Sequence, residues 1–140
     1  MAEKLIRISK MKSAQLVNEL VAVAPLEVLH LAKEFSSDTP IFARFFIEGY
    51  LAKHASCNEG FPEQILGKNY GDGIPEHVFG ILTNDPNKLV EDFCEHASFD
   101  CKRFIFTRTS NHSEALLGFC LGHEVCRKVE NNVLEKILGE

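Results

Sequence analysis

The stretch SEALLGFCLGHEVCRKVENNVLEKIL, residues 113–138, decides the fold class. At 3.6 residues per turn, Leu116, Phe119, His123, Cys126, Val133, Leu134 and Ile137 fall within one broad arc, and Lys128, Asn132, Glu135 and Lys136 fall opposite it. The spacing predicts a long helix with one buried side. Cys120, His123 and Cys126 recur every three residues on this otherwise apolar surface, so they are expected to face inward, with Cys120 at the edge of the arc.

Working outward, each of the five prolines stands at the expected start of a helical stretch: Pro25, Pro40, Pro62, Pro75 and Pro86. Proline suits the first helical position because the N–H it lacks would be unpaired there in any case. Thr39 and Asp85 precede two of them and are expected to cap the helices that follow. After Asp85, Leu89, Val90, Phe93, Cys94 and Ala97 step by three and four, opposite the charged Glu91, Asp92 and Glu95. Residues 39–54 differ, because Ile41, Phe42, Phe45, Phe46, Ile47, Tyr50 and Leu51 cover most of the circumference. That pattern predicts a central helix enclosed by neighbours or by a partner chain.

The expected fold class is therefore mainly α: a compact bundle or irregular stack of about six short helices. Residues 4–9 and 101–107 alternate enough to allow one small two-stranded pairing. The chain reads as one domain over 1–140, with a connector around 57–74 that carries Gly60, Gly67, Gly71 and Gly73.

Composition narrows the function classes. The chain has 140 residues, 45% of them hydrophobic, with eleven Phe and no Trp, so a core built mostly on Phe is expected without disulfides or other staples. Its net charge of −5 disfavours nucleic acid and anionic membranes as main partners, although Lys102, Arg103 and Arg108 flank Phe104 and Phe106. An odd count of five cysteines, no signal-like start and no apolar run of spanning length predict a cytoplasmic protein with reduced thiols and no membrane insertion.

The leading functional expectation is a non-enzymatic, regulatory protein–protein interaction module that docks a protein partner or a second copy through Phe42, Phe46, Tyr50, Phe119 and Leu121. The alternative is a metal-binding or thiol-redox regulator drawing on Cys94, His96, Cys101, Cys120, His123 and Cys126, with zinc the first candidate ion. No cofactor is expected under the leading reading.

Weaker alternatives are a small hydrolase at His54 and Cys57 or a nuclease at Arg108 and His112. The run Arg108-Thr-Ser-Asn-His112 resembles in miniature the Arg-x4–6-His pair of helical endoribonucleases of the HEPN type, with a spacer of three residues. That resemblance would imply acid–base cleavage of RNA across a dimer. Glu27-x-x-His30 with Glu48 echoes part of a di-iron ligand set, but the pattern occurs once, and Arg44 one turn before Glu48 is its expected partner.

Overall fold

The computed structural model describes residues 2–57, 85–110 and 112–138, and side chains within 3–55, 85–110 and 112–131. Seven helices follow one another among them: α1 (Ala2–Ser9), α2 (Ser13–Val23), α3 (Leu26–Asp38), α4 (Pro40–Cys57), α5 (Pro86–His96), α6 (Phe99–Arg108) and α7 (Ser113–Leu138). The connector around 57–74 lies outside the described residues apart from Cys57, as do Pro62 and Pro75.

No strand occurs among the described residues, which corrects the expected β pairing. Its two segments are helices, α1 and α6, and they do pack against each other. Leu5 and Ile8 are buried three residues apart, and Cys101 and Ile105 four apart. In so short a run, alternation and a helical stripe share several positions, and the helical set is the one the core takes up.

The helix ends have identifiable causes. Asp85 caps α5, its carboxylate accepting from the N–H groups of Asn87 and Lys88 with Pro86 in the first turn. Ser98 Oγ accepts from Cys101 N at 3.1 Å and starts α6. Thr39 departs from expectation: its hydroxyl donates to Phe35 O at 3.2 Å, so it closes α3 instead of capping α4. At the start of α7 the His112 ring accepts from Ala115 N at 3.4 Å.

Helix α4 is central, packing against α1, α2, α3 and most extensively α7, while α5 covers the other side of α7. Residues 46–52 of α4 and 118–126 of α7 are buried on every side, so these parts of the two apolar segments are enclosed within the chain, while Ile41 near the start of α4 stays 45% exposed. Phe35 meets Phe42 and Phe46 edge-on, at centroid distances of 4.8 and 5.2 Å, and Phe93 of α5 meets Phe119 at 6.0 Å. Among the described residues, no helix is long and apolar enough to cross a membrane.

Candidate metal centre

The site begins with glycines. A Cβ on Gly118 would lie 2.5 Å from Phe42 O, and one on Gly122 would overlap Phe46 O and sit 2.8 Å from Tyr50 N. Gly49 answers from α4, where a Cβ would overlap Phe119 O. With no side chain at these places, the two backbones touch directly. Residue numbers rise together along the contact, Phe42 with Gly118 and Phe46 with Gly122, so α4 and α7 run parallel. The ridges that meet are rows of every fourth residue on both helices.

Continuing the same steps of four gives Tyr50 with Cys126 and His54 with Glu130. Tyr50 Oη hydrogen-bonds with Cys126, and its phenol pKa is pushed well above the ordinary value, first by burial and then by Cys126 and Glu130. Cys126 Sγ donates to Glu130 Oε1 at 3.1 Å, and His54 Nδ1 stands 3.6 Å from the same oxygen. Polar side chains thus fill the interface where the glycines stop.

His54, Cys126 and Glu130 are all buried, at 5%, 0% and 5% exposure. One ligand atom from each lies within 4.8 Å of the others, and among the described residues no other group of three or more His, Cys, Asp or Glu meets that condition. His54 Nε2 and Glu130 Oε2 have no hydrogen-bond partner among the described residues. Such atoms are costly, because a polar group removed from water is normally paired. A nitrogen, a sulfur and an oxygen together form a donor set that zinc accepts. Ligands of one tetrahedral zinc are about 3.3–3.8 Å apart at zinc–ligand distances of about 2.0–2.3 Å, so these groups need only small adjustments to share an ion.

Of the six residues expected to bind metal, Cys126 belongs to this cluster and the other five do not. Cys94 is half-buried on α5, and Cys101 and Cys120 are buried. Burial pushes the Cys101 thiol up to about 12 and also raises that of Cys120. His96 Nδ1 is 2.7 Å from Asp92 O. His123 Nδ1 is 3.0 Å from Glu124 Oε2, and Glu124, fully buried, is also held by Arg127 Nε at 3.0 Å.

The residues expected to dock a partner lie inside the chain's own core. Phe46, Tyr50, Phe119 and Leu121 are buried, and Phe42 is half-buried against the same core. The large apolar side chains that do face solvent include Val17, Val21, Leu26 and Phe99.

Arg108, half of the HEPN-like pair, forms an ion pair with Glu48 and lies 4.5 Å over the Phe45 ring. Arg44 supplies the second cation to Glu48, as expected, at 3.1 Å, and also donates to Ser9 O and Met11 O. Both arginines are thus engaged in holding helices together. The Cys57 side chain lies outside the described residues, and His54 faces α7.

The sequence reading passes over His54 and Glu130 as metal ligands. The available signal is the pair of four-residue ladders: Gly118, Gly122, Cys126, Glu130 on one helix and Phe42, Phe46, Tyr50, His54 on the other. Comparisons with protein-family models, curated proteins and solved structures find no match.

Proposed function

We propose that this chain is a metal-responsive regulatory module without catalysis of its own, in which His54, Cys126 and Glu130 take up a zinc ion. The observation that carries the reading is the clustering of His54, Cys126 and Glu130 between α4 and α7, in which His54 and Glu130 each keep one buried atom with no hydrogen-bond partner among the described residues. A bound cation would draw one ligand atom from each of the three side chains, convert the Cys126 thiol to thiolate and release its proton. It would also tie α4 to α7 beyond the last glycine rung. Tyr50 stands beside the ligands and can supply a hydrogen bond to the metal-bound sulfur.

The test is elemental analysis of untagged protein eluting from a sizing column, followed by thermal unfolding with added zinc or chelator. The expected result is one zinc per chain and a melting temperature that rises with free zinc, by the equivalent of about 2.7 kcal/mol at a hundred times Kd. Both effects should disappear in His54→Gln and Cys126→Ala. Metal-free protein whose melting temperature ignores zinc overturns the proposal.

Docking of a protein partner or a second copy is a second reading, and its support now comes from a different surface. Val17 and Val21, one turn apart on α2, are 46% and 49% exposed, with Leu26 exposed at the start of α3. Light scattering across a concentration series tests self-association. A dimer that Val17→Ser with Val21→Ser dissociates would favour it, and a strict monomer would remove the second-copy form.

A further inference from the structure

Helix α6 turns an aromatic and cationic stripe to solvent. Phe99 is 72% exposed, more than any other large apolar side chain among the described residues, and Phe106 is 37% exposed. At 3.6 residues per turn, Phe99, Arg103 and Phe106 fall within about 60° of one another, with the two rings about 10.5 Å apart along the axis. An edge-on contact with Phe93 at 6.3 Å steadies the Phe106 ring. Beside the stripe, a groove of about 440 Å³ runs between α6 and the end of α1, lined by Ser9, Asp100, Arg103, Phe104, Thr107 and Arg108. Arg103 belongs to stripe and groove alike.

Charge is segregated toward this side. Residues 2–12 carry Lys4, Arg7, Lys10 and Lys12 against Glu3, and α6 carries Lys102, Arg103 and Arg108 against Asp100, so these two packed helices are positive in a chain of net charge −5. Some of the cations are committed: Lys4 to Ala55 O, Lys102 to Cys94 O at 3.1 Å, and Arg108 to Glu48. Arg7, Lys10, Lys12 and Arg103 are exposed and form no ion pair among the described residues. Lys10 directly follows the groove residue Ser9. The acidic remainder of the chain opposes a polyanion here only weakly, because at about 0.1 M salt exposed charges more than about 10 Å apart are largely screened.

Three kinds of group therefore meet on one surface: flat aromatic faces, uncommitted cations and one carboxylate. The Asp100 carboxylate can only accept, so it repels a phosphate or another carboxylate and suits the N–H edge of a base. An acidic peptide would bring carboxylates to that point. A nucleic-acid duplex covers its base faces by stacking, whereas a single strand offers base faces, base edges and phosphates together.

We propose that α6 and the end of α1 bind a short stretch of single-stranded nucleic acid, with bases stacked on Phe99 and Phe106, phosphates met by Arg103 and Lys10, and one base edge turned to Asp100. The proposal is independent of zinc, since none of its residues belongs to the metal centre.

Fluorescence anisotropy of the full chain with a dye-labelled, mixed-sequence single-stranded RNA of about twelve nucleotides tests it, with polyglutamate as competitor. Saturable binding that polyglutamate at equal charge does not displace is the expected result. Both variants used are at exposed positions, and their melting temperatures confirm the fold. Phe99→Ala is expected to weaken binding about tenfold with the salt dependence unchanged. Arg103→Gln should weaken it and reduce the slope of log K against log salt by about 0.7, the loss of one phosphate contact. Absence of saturable binding, equal displacement by polyglutamate, or unchanged affinity in both variants would each overturn the proposal, and displacement would point to an acidic protein segment instead.

Discussion

Gly122 lies against the backbone of Phe46 so closely that a Cβ there would sit 2.8 Å from both the Phe46 carbonyl carbon and Tyr50 N. This contact sets the distance between the two central helices and puts the polar rungs that follow in register. In a solvent-exposed helix, glycine to alanine gains about 1 kcal/mol of helix propensity. Here the sign reverses, because the obstacle is backbone that cannot rotate away. Gly122→Ala is expected to lose about 3 kcal/mol, a fall of about 10 °C in melting temperature for a chain of this size, read by circular dichroism.

Glu48 sits between two arginines and is 1% exposed, so its charge depends on both. Arg108→Ala removes one of them, together with its stacking on Phe45. Because the Arg108 side chain is 27% exposed, the loss is discounted to about 2 kcal/mol from the range for a fully buried pair. Adding Glu48→Gln in the same chain should cost less than the two single changes summed, by about 1 kcal/mol, in denaturant unfolding.

Burial lowers the folded-state pKa of His123, with Glu124 opposing the shift only in part. The sign follows from proton counting: below the unfolded value of about 6.5 the unfolded chain binds a proton that the folded chain refuses. The contribution is therefore complete above pH 6.5 and is lost as pH falls toward the folded value. Denaturation midpoints between pH 7.5 and 5 should fall with a slope of at most about 1.4 kcal/mol per pH unit from this group. His123→Gln should flatten that part of the profile.

Thiol reactivity should follow burial and pKa. Among Cys94, Cys101, Cys120 and Cys126, the half-buried Cys94 is expected to be alkylated first. Cys101 and Cys120 should be slow, because burial both raises their pKa values and blocks approach. Site-resolved mass spectrometry after timed iodoacetamide treatment measures the order. Added zinc should further protect Cys126 and leave the rate at Cys94 unchanged.

Local patterns were enough to read the helical class, the buried face of α5 with Leu89 and Phe93, the Asp85 cap and the central position of α4. These follow from the period of the apolar residues and from proline and capping chemistry, which act within a few residues. The same logic stumbled at α1 and α6, where a short run fits two periods, and at Thr39, whose hydroxyl could serve the helix on either side.

What only the tertiary structure decided is which apolar surfaces face each other and which polar groups they trap. Phe46, Tyr50, Phe119 and Leu121 read as surplus apolar surface when α4 and α7 are considered singly. Packed together through Gly49, Gly118 and Gly122, the two helices bury that surface within one chain. The direction and register of the pair, set by direct backbone contact between residues about 76 positions apart, bring His54 to Glu130 and Tyr50 to Cys126. No local preference encodes that register, because it depends on where two distant backbones can come closest.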